Sequence, residues 1–389
     1  MDRRRFLSLA AGLATTTQAP GIWRSAARAA EPLADSTILV VVELNGGNDG
    51  LNTVVPYRND TYHRARPTLS IAPEKVLKLD DSLGLHPAMK EVHTLWEKDS
   101  LRVVMNVGYP QASRSHSRSM EVWQSGSTDV GPVAGWLGRF SDQSSSSAPA
   151  CFVGTGGPPL AVRGRRVAPL ALLDRSSVTL QPGAQLSPRP EDTTVPDSPV
   201  AKVSRAMASA NLLNQRVRAL PAASAREEGD ALRSQLDMVF RLIATDVETR
   251  VFYTSLGGFD THAGQQYAHQ SQLGALAKAL AKFQNDLERS RLDERVLVLV
   301  FSEFGRRLEE NGTKGTDHGA AAPVLLLGSA VAGGRIGGPP ELDQTDSGDV
   351  PFEIDFRDLY ASVLTDWLHV DPTPILGRAT NQPISIFKT

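Results

Sequence analysis

From Arg295 to Phe301 the chain reads Arg-Val-Leu-Val-Leu-Val-Phe and then breaks off into Ser302-Glu303-Phe304-Gly305-Arg306-Arg307. Apolar residues at both parities leave no side for water, so this segment is predicted as a strand covered on both faces. A second apolar run, Pro323 to Leu327, is prefaced by Asp317-His318-Gly319, and an earlier one, Ser36 to Leu44, runs into Asn45-Gly-Gly-Asn-Asp49-Gly50. In open α/β sheets the carboxyl ends of the strands are where ligands bind. Carboxylates and a histidine delivered to that edge point to a metal site; a buried strand whose polar end is simply solvated is the other reading.

Between these runs the pattern alternates. Pro87 to Lys98 has proline in its first turn and reads as a helix, and Leu101 to Val107 reads as the next strand. A strand, a helix and a strand in that order imply a parallel sheet. The rhythm resumes with strand Arg250 to Ser255, loop Gly257-Gly-Phe-Asp260-Thr-His262, helix Gln265 to Leu287, the Glu303 strand, strand Pro323 to Leu327 and a last helix, Asp355 to Leu368. Helices over about Ala201 to Ala219 and Ala225 to Val247 are expected to cover the sheet; the second repeats Leu232, Leu236, Val239, Phe240 and Ile243 at helical spacing. From Asp142 to about Pro199, serine, proline and glycine clusters predict an insertion or lid rather than sheet. The expected fold is α/β, a central mostly parallel sheet flanked by helices, with residues 31–389 as one domain carrying a less regular insertion at about 142–200.

Charge and termini narrow the function classes. A net charge of -2, with 41% hydrophobic and 22% charged residues, offers no general attraction to nucleic acid, so a small-molecule or polymer substrate is expected instead. The N-terminus carries Arg3-Arg4-Arg5-Phe6-Leu7, a short apolar run to Ala14, and the small-residue site Ala27-Arg28-Ala29. This order resembles a twin-arginine signal peptide over residues 1–30, which implies the twin-arginine export machinery as a partner and a periplasmic or secreted mature protein. No run reaches the roughly 18 apolar residues of a membrane span. Cys151 stands alone and forms no intrachain disulfide.

The candidate chemistry lies on the loops after the strands. Asp260-x-His262 follows a strand and two glycines, and its oxygen and nitrogen donors suit zinc, manganese or iron; a helix cap is the other reading. Glu303, Asp317 and His318 arrive at neighbouring strand ends, and Asp49 adds a further oxygen ligand unless it serves only its turn. Ser113 and Ser115 stand at a helix start, where free amides and the dipole favour an anion and activate a hydroxyl; plain N-capping is the alternative. Ser115 is preferred, flanked by Arg114 and His116. Arg114, and Arg306 with its neighbour Arg307, are candidates to orient an anionic substrate; a solvated surface is the other reading of the arginine pair.

Taken in order, Leu-Asn-Gly-Gly-Asn-Asp-Gly-Leu-Asn-Thr-Val-Val-Pro-Tyr, Leu85-His-Pro-Ala, Val107-Gly-Tyr-Pro with Ser113-Arg-Ser-His, Phe259-Asp-Thr-His, Phe301-Ser-Glu-Phe-Gly-Arg and Asp317-His-Gly resemble the DUF1501 family of exported bacterial proteins. That family is similar to the alkaline phosphatase and sulfatase superfamily. The resemblance implies Asp49 as a first metal carboxylate, Ser115 or Ser113 as the nucleophile, Asp260 with His262 as a ligand pair, then Glu303 and His318. The pattern departs where Ser-Glu-Phe-Gly replaces Ser-Asp-His-Gly: Phe304 takes a ligand's place, which argues against a second metal. No Cys-x-Pro-x-Arg signature lies near Ser113, which argues against formylglycine chemistry. Two functions follow as expectations: a metal-dependent hydrolase of phosphate or sulfate esters using zinc or manganese, or a non-catalytic metal-binding or assembly protein that keeps the fold.

Overall fold

The computed structural model describes residues 37–129, 131, 133–143, 150–172, 231–245, 249–378 and 383–388. In chain order the strands of the central sheet and of the hairpin at its edge are β1 (Ile38–Leu44), β2 (Leu101–Gly108), β3 (Cys151–Val153), β4 (Leu170–Leu172), β5 (Val251–Leu256), β6 (Val296–Ser302), β7 (Arg306–Glu310), β8 (Thr316–His318), β9 (Ala322–Leu327), β10 (Gly334–Ile336) and β11 (Ile354–Asp355); Val54–Val55, Leu77–Lys78 and Gly84–Leu85 form a separate small sheet. The helices that frame the site are α1 (His116–Ser125), α2 (Ala231–Ala244), α3 (Gln265–Arg289) and α4 (Phe356–Ser362).

Nine strands make one sheet in the order β10–β2–β9–β6–β1–β5–β3–β4, with β11 also pairing with β2. Every residue of β1 and β6 is buried, as their unbroken apolar runs require. Successive side chains point to opposite faces. Val40, Val42, Val298 and Val300 join α2 and α3 through Leu232, Leu236, Leu273 and Leu276. Leu39, Val41, Leu297 and Leu299 join α1 and α4 through Val122, Trp123, Leu359 and Tyr360. Each fully buried valine or leucine contributes about 1.5–3 kcal/mol, so burial on both faces holds these central strands in place.

Register decides what the sheet presents. Leu44 pairs with Leu256 of β5 and with Ser302 of β6, so three parallel strands end level. Strand β9 runs antiparallel between β6 and β2, and Ala322 at its start lies beside Val107 near the end of β2. The segments after β1, β2, β5 and β6 and the segment before β9 therefore leave from one edge.

The structure departs from the sequence-based expectation in three places. Cys151–Val153 and Leu170–Leu172, in the stretch expected to be insertion rather than sheet, pair with each other, and Cys151–Val153 also pairs with β5. They are three-residue strands, too short to stand out among loop residues. The polar segment after Glu303 is a hairpin, β7 against β8, pairing Arg306 with His318. The last helix turns into a π-helical stretch over Val363–Trp367. The covering helix spans Ala231–Ala244 within the longer range expected, whereas the helix expected over 201–219 and the signal segment over 1–30 lie outside the described residues. Among the described residues no helix is long and apolar enough to cross a membrane.

Candidate metal centre

At the shared edge, α1 begins where the chain returns from β2, and its first residue brings an imidazole against the end of β6. His116 Nδ1 lies 2.8 Å from Glu303 Oε1. Glu303 is fully buried and also accepts from the Gly46 amide at 2.9 Å and the Ser302 hydroxyl at 3.0 Å. A carboxylate so placed fixes the proton of His116 on Nδ1 and leaves Nε2 as a lone pair. That Nε2 is buried, without a hydrogen-bond partner among the described residues, 3.5 Å from Asp260 Oδ2.

His318, on β8, follows the same logic. Its Nδ1 lies 2.8 Å from the Arg114 carbonyl, which can only accept, so Nδ1 carries the proton. Its Nε2 is 3.2 Å from Asp260 Oδ1. His262 turns Nδ1 toward Asp317 Oδ1 at 3.3 Å, and its Nε2 lies 2.8 Å from His318 Nε2 and 3.1 Å from Asp260 Oδ1. Imidazole lone pairs thus converge on one carboxylate, an arrangement that repels itself unless a cation joins it. Zinc–nitrogen bonds of 2.0–2.1 Å set tetrahedral ligands about 3.3 Å apart, and the separations here bracket that spacing. The donor atoms of His116, Asp260 and His318 all fall within 4.8 Å of one another, so these three could hold a metal ion, with His262 a fourth donor beside them.

Asp260 is half exposed yet strongly acidic. Burial pushes its carboxyl up, but the hydrogen bond and the charge of Arg306 outweigh this and hold it down at about 2. Behind the site Glu43, on β1, goes the other way: burial raises it, against hydrogen bonds from the Tyr253 hydroxyl and Gln124, and Glu303 nearby adds to the rise. The apolar run hid Glu43, whose only signal was a lone carboxylate inside a buried strand.

Several residues read as ligands or catalytic groups are placed differently. Asp49 is fully buried in an ion pair with Arg66 at 2.7 Å, with Gln265 on the same oxygen, and so sits with those groups. Glu303 reaches the cluster through His116, and Asp317 through His262. Arg306 is buried and wholly engaged, so it is not free to meet a substrate anion. Arg114 is anchored by Asp349 at 2.5 and 3.0 Å and keeps part of its guanidinium exposed. Phe304 is fully buried, its ring centroid 5.0 Å from that of His116 and 4.8 Å from that of His318. It forms an apolar wall where a ligand was looked for.

Ser115 is the N-cap of α1, exposed, and its side chain makes no cap hydrogen bond. Ser113 is partly buried, and its hydroxyl accepts from the Ser115 amide at 3.2 Å. The loop hangs on Tyr109, whose hydroxyl accepts from the Ser113 amide at 2.9 Å and lies 3.0 Å from the Ser119 hydroxyl. Ser119 in turn donates to the Glu303 carbonyl at 2.5 Å, so the serine loop and His116 share one scaffold. Asp349 and Arg66 carried no sequence signal, and Tyr109 stood only inside the Val107-Gly-Tyr-Pro motif without a role, because each acts through a contact distant in sequence or on a backbone group.

The sequence matches the family model described as "Protein of unknown function (DUF1501)" over residues 36–387. No curated protein matches it. Among solved structures, a protein in the alkaline phosphatase superfamily from Vibrio parahaemolyticus aligns at 10% identity and a TM-score of 0.43, covering 90% of this chain and 70% of that one. The lipoteichoic acid synthase LtaP from Listeria monocytogenes aligns at 10% identity and 0.41, covering 90% and 74%. The PsFucS1 sulfatase from Pseudoalteromonas sp. aligns at 11% identity and 0.41, covering 94% and 75%. Likeness of this size says nothing about substrate or metal.

Proposed function

We propose that this chain, which belongs to the DUF1501 family, is an exported metal-dependent hydrolase of phosphate or sulfate esters. The observation that carries the reading is the buried Nε2 of His116, unpartnered among the described residues and aimed with His318, His262 and Asp260 at one point, with the Ser115 side chain making no cap bond at the adjoining helix start. Nitrogen donors with a single carboxylate suit zinc, or manganese, better than calcium. When bound, the ion lowers the pKa of a hydroxyl and neutralises charge developing on the ester.

The chain's own residues supply the rest. Ser115 Oγ is the attacking group, placed where the unpaired amides and positive dipole end of α1 favour both its ionised form and an anionic ester. Arg114, steadied by Asp349, presents a guanidinium to the same anion. Glu303 and the Arg114 carbonyl hold the two imidazoles in the tautomers that leave Nε2 free. The substrate is a small ester or an ester group on a polymer, and the route to the periplasm or cell exterior is the twin-arginine machinery, read from the Arg-Arg-x-Phe-Leu segment.

A second reading has one observation in its favour. Phe304 packs apolar surface against two of the imidazoles, which suits a metal-binding or assembly protein without turnover. Metal analysis of the mature protein, combined with a panel of aryl phosphate and sulfate esters, separates the two. The hydrolase reading expects bound metal, turnover of at least one ester class, and loss of that turnover by a factor of about 100 or more in Ser115→Ala with the metal retained. Metal without turnover of any ester leaves the second reading in possession.

A further inference from the structure

Arg306 has no access to solvent, and its guanidinium meets five oxygens. Nε donates to the Gly47 carbonyl at 2.7 Å and Nη1 to the Thr316 carbonyl at 2.7 Å. Nη2 donates to the Phe259 carbonyl at 3.1 Å, to Asp260 Oδ1 at 2.8 Å, and to the Gly46 carbonyl. Four carbonyls and a carboxylate around one point are the donor set a hard cation would seek. Here a side chain already stands in it. The four carbonyls are neutral, so among these five acceptors the only formal negative charge is that of Asp260, the same carboxylate on which His262 and His318 converge.

We propose that the Arg306 guanidinium is a permanent cation filling the second half of a site built for one metal ion, with Asp260 bridging the fixed charge and the bound one. The inference rests on the metal-dependent reading above and adds to it both a stoichiometry and a reason. A buried guanidinium cannot leave without stranding its acceptors, and a second dication beside it would share one carboxylate with two other positive centres. Arg306 thus neutralises part of Asp260 from behind, while the metal takes the open side, where that residue's side chain is 49% exposed. Phe304 then has a subsidiary part. It covers the flank of His116 and His318 but does not by itself set the number of ions.

The test is a metal count on the full chain, stripped with chelator, reloaded with excess zinc or manganese, passed over a desalting column and measured by plasma mass spectrometry and native mass spectrometry. One ion per chain is expected in the wild type. The same single ion is expected in Phe304→His and Phe304→Asp, each of which offers a new donor at the wall; either variant that folds by circular dichroism decides the matter. Two ions in the wild type, or a second ion gained by a folded Phe304 variant, overturns the inference and leaves the hydrolase reading standing. Absence of any ion overturns both.

Discussion

Glu303 and Gly47 show how much of the site depends on residues that would never touch a ligand. Glu303 is buried, and its oxygens serve the Gly46 amide, the Ser302 hydroxyl and His116 Nδ1. Replacing it with glutamine keeps an acceptor for the imidazole proton but removes the charge that makes the ring a good donor. Glu303→Gln is expected to weaken metal binding by about 10–100-fold, read by zinc titration against a competing chelator dye, with a near-normal unfolding midpoint. A variant that binds zinc as tightly as the wild type would show that the carboxylate contributes only packing. Gly47 is constrained differently: φ is +72°, and a Cβ there would lie 2.2 Å from Phe304 Cε2. Gly47→Ala therefore combines a left-handed backbone with overpacking against the wall of the site, for an expected loss of about 2–4 kcal/mol in urea unfolding.

Among the elements, α1 is the one whose start matters, and its N-cap differs from that of the helix Asp60–Ala65. Asn59 caps the helix Asp60–Ala65 by accepting from the Thr61 and Tyr62 amides at 2.9 and 3.1 Å, whereas the Ser115 side chain makes no such bond. Asn59→Ala is expected to cost about 1 kcal/mol and Ser115→Ala less than about 0.5 kcal/mol, compared by urea midpoints. Equal losses would mean that the serine is a cap and not a free hydroxyl. The same contrast explains what could be read from sequence. Strands β1, β5, β6 and β9 announce themselves because doubly covered strands have no polar face to interrupt the apolar run. The hairpin of β7 and β8 does not, since Arg306-Arg-Leu-Glu-Glu looks like solvated loop until the fold buries Arg306 between carbonyls. His116, Asp260, His262 and His318 were visible as residue types on loops leaving strand ends. The division of labour among the carboxylates was not: Glu303 finds His116 across 187 residues, and Asp49 is claimed by Arg66, pairings that only tertiary packing decides.

For the molecule as a whole, two histidines outside the metal cluster set how stability responds to acid. His86 and His269 are buried with ring centroids 6.0 Å apart. Burial pulls both down from 6.5 to about 4, against the nearby charge of Asp49, which favours protonation of each; for His269, His86, Arg66 and Arg306 add to the fall. His269 Nε2 is also tied to Asn48 Oδ1 at 2.9 Å, beside the turn that carries Asp49. The sign follows from proton counting. Below 6.5 the unfolded chain binds protons at these positions that the folded chain refuses, so stability is complete above that pH and falls as pH drops toward 4. A shift of about 2.5 units is worth at most about 3 kcal/mol per histidine, a large part of the margin of an ordinary domain. With chelator present throughout, so that protonation of metal ligands does not enter, urea midpoints should fall steeply between pH 6.5 and 4. His269→Gln removes one of the two titrating groups while keeping a polar partner for Asn48, and its profile should be shallower over the same window by up to half. A variant profile parallel to the wild type would place the acid sensitivity elsewhere, with carboxylates such as Asp80, held at about 2 although burial pushes it up, because hydrogen bonds from Ser82, Leu83 and Arg335 outweigh that. Their contribution is present above about 3.8 and is lost below it, so the position of the fall on the pH axis distinguishes the two sources directly.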